Sequence, residues 1–207
     1  MWFPQYEHDE DGPFLMAISE TFFMKSRGLV VHGMILRGEV QLGDSVDIVG
    51  LRENNETAVV RGREYLRFED MQAERAFHRD NVAVLMIGDI EPDLVQPGMV
   101  IGAPGTMTPS DGFKAEVAVL PTELGGRRTP FTTGYNPKLA LFDREYECRL
   151  TLPEAVDEAH PGDHLNMDIE LDELIPIAKG IQFVIKERHK VVGIGIVIEP
   201  MSTSSSR

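Results

Sequence analysis

Arg27-Gly28-Leu29-Val30-Val31-His32-Gly33-Met34-Ile35-Leu36-Arg37-Gly38-Glu39-Val40-Gln41-Leu42-Gly43-Asp44-Ser45-Val46-Asp47-Ile48-Val49-Gly50 is the stretch that decides the fold class. Leu29 to Leu36 is apolar and β-branched, interrupted at His32 and Gly33. Gly38-Glu39 and Gly43-Asp44 turn the chain, with Val40 and Leu42 suited to a short strand between them. Ser45 to Val49 then alternates polar with apolar. Short β-rich runs divided by glycine turns predict an antiparallel meander. A sheet this small must curl shut or be covered, because open edges pair with other chains. The expectation is a small β-barrel, with Gly33 at a corner where a strand bends.

The same pattern recurs outward from this stretch. Phe14 to Met24, the arginine-rich Ala58 to Leu66, the apolar Asn81 to Ile90, and Val100-Ile101 after the turn Gln96-Pro97-Gly98-Met99 all read as strands. Glu69 to Ala76 has helix formers for one or two turns. Residues 103–112, Ala-Pro-Gly-Thr-Met-Thr-Pro-Ser-Asp-Gly, have the punctuation of a linker. Beyond them Phe113, Ala115, Val117 and Val119 alternate with polar residues. A long loop spans Gly125 to Tyr135, and further strands are expected at Lys138–Phe142, Tyr146–Leu152, His164–Leu171, Ile181–Lys186 and Lys190–Ile198. His160-Pro161-Gly162-Asp163 reads as a turn. Many short strands without a long amphipathic helix make the fold class all-β, with two consecutive antiparallel β-barrels. The expected domains are residues 13–105 and 106–200. An N-terminal tail, 1–12, precedes them, and a serine-rich tail expected to be disordered, 201–207, follows.

Composition narrows the function. The chain's 207 residues can supply a core to each of two small domains. Acids outnumber bases 34 to 20, a net charge of -14, which disfavours non-specific nucleic-acid binding over the surface as a whole. A local basic patch remains compatible with RNA. The single cysteine, Cys148, excludes an internal disulfide and suits a reducing cytosol. It lies in an alternating run and reads as a buried strand residue rather than a nucleophile. There is no cationic, apolar leader and no apolar run of the ~20 residues that span a membrane. A cytoplasmic location without a membrane partner is therefore expected. No Gly-x-x-x-x-Gly-Lys-Ser/Thr loop or even a Gly-Lys pair is present to cradle phosphates, so nucleotide binding and hydrolysis are not expected. His160 and His164 are four apart, but Pro161-Gly162 forbids a shared helical face, so no metal site or other cofactor is expected. No order of nucleophile and base stands out, and the chain is not read as an enzyme.

Several short motifs occur in a telling order. Pro13-Phe14-Leu15, Arg27-Gly28 with Val30-Val31, Arg37-Gly38, Gly43-Asp44, Val49-Gly50, Gln96-Pro97-Gly98 and Pro104-Gly105-Thr106 together resemble domain 2 of the translation elongation factor Tu family. Gly125-Gly126-Arg127-Arg128-Thr129-Pro130-Phe131, Leu152-Pro153-Glu154, Pro161-Gly162-Asp163, Pro176-Ile177-Ala178 and Gly193-Ile194-Gly195 are similar to domain 3 of that family. The resemblance implies two consecutive β-barrels, in agreement with the strand reading. Members of the family begin with a GTPase domain, whose phosphate loop this sequence lacks. The chain is read as a free-standing relative or as a fragment without that domain.

The resemblance also implies sites. In the family, domain 2 receives the aminoacylated 3′ end of transfer RNA. Phe22, Glu64 and Asn81 keep the family residue, and Glu20 stands where the family has aspartate. Glu64 would meet the terminal adenosine and Asn81 the amino-acid end. Ser19, His32 and Met34 depart from the family's glutamate, threonine and arginine. Taken as bare residues, Phe22 reads as a core aromatic and Glu64 as a solvated strand acid. Arg127 matches a family arginine, and Arg128 replaces a histidine, in a loop that in the family lies near the T-stem backbone. Phosphate contacts need only cations held at the right height. The alternative is an arginine that staples its own loop to backbone carbonyls. Arg52, Arg61, Arg63, Arg67, Arg75 and Arg79 are interspersed with acids and read as a mixed, solvated face. From Leu150 to Ala178 there are acids but no lysine or arginine, a face that repels RNA and suits a basic protein. Two functions stay open. One is a translation-related binding module that engages the acceptor arm of aminoacyl-tRNA. The other is a protein–protein interaction module that offers elongation factor Tu-like barrels to translation-associated proteins.

Overall fold

The computed structural model of the chain describes residues 12–25, 28–50, 56–65, 82–88, 90–142 and 144–201, with the backbone alone at 61–65 and 82–86. The expected helix at Glu69–Ala76, the tail up to residue 11 and residues 202–207 lie outside the described residues. The chain divides into two compact units between Met107 and Thr108. Among the described residues, no helix is long and apolar enough to cross a membrane.

The first unit is a closed barrel of six strands: β1 (Leu15–Met24), β2 (Gly28–Arg37), β3 (Ser45–Val49), β4 (Glu56–Tyr65), β5 (Val82–Gly88) and β6 (Val100–Gly102), in the order β1-β2-β5-β4-β3-β6. Period-two alternation builds its core. Met16 and Ile18, Leu29 and Val31, Val46 and Ile48, and Ala58 and Val60 all bury inward. Gly33 stands opposite Ile18, and a Cβ there would strike the Ala17 carbonyl, so the close approach requires glycine.

The barrel is as expected, but the meander is not. β2 pairs with β1 and β5, whereas β3 pairs with β4 and β6, so the two never meet. The short strand expected at Val40–Leu42 does not form. Gly38 (φ 63°) and Gly43 (φ 93°) swing the segment across the barrel end instead. Val40, 2% exposed, enters the core cluster with Val95 and Met99, while Leu42 is 68% exposed. Gly43 N–H donates to Val60 O at 2.8 Å, and Asp44 Oδ2 accepts Gln41 N–H at 2.7 Å. An apolar residue can plug a barrel as well as pair in it, and local alternation does not distinguish the two.

The second unit is also a closed barrel of six: β7 (Thr108–Val119), β8 (Lys138–Leu141), β9 (Arg144–Thr151), β10 (His164–Ile177), β11 (Gln182–Glu187) and β12 (Lys190–Pro200), in the order β10-β7-β12-β11-β8-β9. Phe113, Ala115, Val117, Leu139, Tyr146, Leu150, Met167, Ile169 and Phe183 are buried in it. Phe113 meets Phe183 edge to face at 5.4 Å between centroids.

The expected linker, 103–112, is corrected in its second half. Only Ala103–Met107 is a turn, pinned by Gly105 N–H to Asp47 Oδ2 at 2.8 Å. Thr108 onward is strand, and Ser110 is fully buried with its hydroxyl 2.8 Å from Met201 O. Met201, read from sequence as the start of a loose tail, also donates its N–H to Gly112 O at 2.9 Å. Small polar residues mark linkers and twisted strand ends alike.

Candidate nucleic-acid interface

A bulge organises the candidate residues of the first barrel. Ile18 pairs with Gly33 and Glu20 with His32, so Ser19 is the extra residue in β1. Inward alternation would have buried Glu20. The bulge turns Glu20 and Phe22 outward together, where both are exposed, Phe22 by 44%. The core reading of Phe22 is therefore set aside. Phe23 and Met24 are exposed beside it, at 60% and 42%.

Pairing continues across the sheet from Glu20 to His32, from His32 to Val84, and from Val84 to Glu64. Glu20 and Glu64 thus share one register row, three strands or roughly 14 Å apart. His32 lies between them, with its Nδ1 buried and without a hydrogen-bond partner. The Glu64 side chain and the whole of Asn81 lie outside the described residues, so the row is placed by its backbone.

The second barrel places Arg127 with more detail. Gly125 (φ 83°) ends a short 3-10 turn, Thr122–Leu124, and Gly126 packs on the Leu120 carbonyl. Thr122 Oγ1 donates to Arg127 O at 2.8 Å. The guanidinium then turns back on its own loop. Arg127 Nε donates to Thr129 O at 3.1 Å and Nη1 to Glu187 Oε2 at 2.8 Å. Its carbon Cζ lies 4.5 Å from the Tyr135 ring centre and 5.6 Å from that of Phe131. Only 12% of the side chain is exposed. Burial raises the pKa of the neighbouring Tyr135 hydroxyl, and the Arg127 charge opposes that rise. This is the staple geometry, with a carboxylate and two rings added to the carbonyl. Arg128 is exposed beside it.

The Arg127–Glu187 pair brings that loop against the turn between β11 and β12. Sequence reasoning passed over this turn, which carries Arg188, His189 and Lys190, all exposed. Arg188 adopts φ 57°, a left-handed conformation that tightens the hairpin. Among the described residues Arg128, Arg188 and Lys190 make no ion pair. The neighbouring lysines are already committed. Lys186 Nζ donates to Glu145 Oε1 at 2.8 Å, and Lys138 lies 3.4 Å from Glu147. In a chain of net charge -14, this turn is a local positive knuckle. The only available signal was three basic residues running together at 188–190, and solvated loops commonly carry such runs.

The remaining candidates stay apart. His160 lies 3.7 Å from Glu158, its backbone N–H donates to Asp163 Oδ2 at 2.7 Å, and it does not converge with His164 on a site. Among the described residues, no group of three or more His, Cys, Asp or Glu could hold a metal ion. Cys148 is buried, its thiol donates to Pro137 O at 3.3 Å, and desolvation pushes its pKa up to about 12. A neutral, enclosed thiol is not a nucleophile.

Residues 106–200 match the family model of the elongation factor Tu C-terminal domain. The match covers β7 to β12 and includes Arg127, Arg128 and the basic turn. The second barrel is thus a translation-factor-like module, and the matched domain is a non-catalytic barrel.

Proposed function

We propose that this chain is a translation-related binding module that engages the acceptor arm of aminoacyl-tRNA. Its second barrel sets Arg128 and the basic turn at Arg188–Lys190 against the phosphate backbone. Arg127 acts behind them by holding the loop to Glu187. The observation that carries this reading is a set of exposed cations, without an ion pair among the described residues, in a barrel that matches a translation-factor domain. Phosphate contact needs charge at a fixed position rather than a shaped pocket. The row of the first barrel that contains Glu20 and Glu64, with Phe22 two residues further along β1 and Asn81, is assigned to the aminoacylated 3′ end on its resemblance to domain 2. The test is fluorescence anisotropy with charged and uncharged tRNA across a salt series. Each lost phosphate contact lowers the log-log salt slope by about one unit. Arg128→Ala is expected to show that drop without changing preference among tRNA species. No binding at low salt would remove this reading.

One observation favours the protein-interaction reading. A shallow groove of about 290 Å³ on the second barrel is lined by Ala118, Ile194, Ile196 and Phe183, with Glu116 and His164 also lining it. Ile196 is 38% exposed there. If RNA binding fails, Ile196→Asp tests this face through loss of a co-purifying translation protein.

A further inference from the structure

We infer that His189 makes phosphate-backbone binding by the basic knuckle dependent on pH, tightening it as the solution is acidified. This inference rests on the proposed RNA contact at the second barrel. His189 sits between Arg188 and Lys190 at the exposed tip of the turn between β11 and β12. Histidine is the side chain whose charge ordinarily changes between about pH 5 and 8. Arginine and lysine remain charged across that range.

Among the described residues, the charged groups shown near it are few. Glu187 precedes the turn and is held by Arg127. Glu145, from β9, is held by Lys186, with Lys138 3.9 Å away. The Glu145 carboxyl lies below the usual range, first through its hydrogen bond from Lys186, and His189 is the last and smallest of the causes that lower it. Both of these acids therefore have cations already, and Arg128 follows Arg127 on the loop that is tied to Glu187. A bound phosphate would be the uncompensated anion at the tip. A phosphodiester stabilises the protonated imidazole, so binding takes up a proton and strengthens as pH falls. The same linkage gives the knuckle one more phosphate-binding charge on the acid side.

The test uses a short RNA hairpin of mixed sequence, followed by anisotropy in a potassium chloride series at about pH 5.5 and about pH 8. The full chain is expected to bind more tightly at the lower pH, with a log-log salt slope steeper by up to about one unit. His189→Gln is expected to abolish that increment and leave the slope at the higher pH unchanged. His189→Lys is expected to hold the steeper slope at both pH values. His160→Gln, remote from the turn in sequence, is expected to leave the increment in place. RNA binding with equal slopes at both pH values, or an increment that survives His189→Gln, overturns this inference and leaves the RNA contact standing. No RNA binding at either pH overturns both.

Discussion

Arg127 and Glu187 are 60 residues apart, yet Nη1 and Oε2 meet at 2.8 Å, with the guanidinium lying over Tyr135. The pair joins the loop after β7 to the end of β11. It also divides the labour of two adjacent arginines, one turned inward to hold the loop and one left facing solvent.

That division is measurable. Arg127→Ala removes a largely covered cation from a carboxylate, a carbonyl and two rings, and is expected to destabilise the chain by ~1–2 kcal/mol. Arg128→Ala, at an exposed position, is expected to change stability by less than ~0.5 kcal/mol. Urea denaturation checks both. A double-mutant cycle of Arg127 and Glu187 should show coupling of ~0.5–1 kcal/mol, and zero coupling would mean the pair does not hold the loop.

Gly195 lies opposite Phe183 across β11 and β12, and a Cβ at Gly195 would run into the Phe183 ring. Phe183 is 1% exposed and packs on Phe113, so it has nowhere to withdraw. Gly195→Ala should therefore cost ~1–3 kcal/mol, or ~4–8 °C in Tm per kcal/mol for a barrel of this size. An unchanged melting curve would contradict this packing.

Alkali should loosen the second barrel before it loosens a chain without buried acids of high pKa. The Cys148 thiol titrates at about 12 in the fold against 9.0 ordinarily, mainly through desolvation. The Tyr146 hydroxyl is raised for the same first reason. A raised folded pKa means the protonated form is preferred in the fold. The stability this contributes is complete below about pH 9 and disappears as pH rises toward 12. Thermal melts in that window should fall in Tm, less steeply for Cys148→Ala. Maleimide at neutral pH should label Cys148 only after denaturant is added.

The sequence also predicts that this chain takes no GTP, because it lacks the phosphate loop. Calorimetry at micromolar concentrations should give only heats of dilution. A stoichiometric isotherm would require a nucleotide site of a different design.

Strand positions were legible wherever one face is buried and the other wet. Phe113 to Val119 and His164 to Leu171 announce themselves by period two. Strand order was not legible, because β3 chooses β4 and β6 over β2 through contacts that local alternation does not encode. Val40 looked like a strand residue and is a plug. For the candidate site, the importance of Arg127 was visible, but not its commitment inward, since Glu187 is far along the chain. Glu20 and Phe22 owe their shared outward face to one extra residue at Ser19, and a one-residue bulge leaves no mark on hydropathy. Arg188, His189 and Lys190 are tied to the Arg127–Arg128 loop only in the fold, where Arg127 meets Glu187 just before their turn.

The strand order of the second barrel has a consequence for synthesis. β7 emerges first, but its neighbours are β10 and β12, with Phe113 joined to Ile169 on one side and Pro200 on the other. Nothing between Leu120 and Asp163 can satisfy it. Pairings so remote are slow to find, on scales of milliseconds to seconds. A growing chain that stalls before Lys190 would carry β7 with one side unpaired, a ready template for another stalled chain. The ring closure that leaves the finished second barrel without an open edge is therefore what leaves an edge open while that barrel is being made.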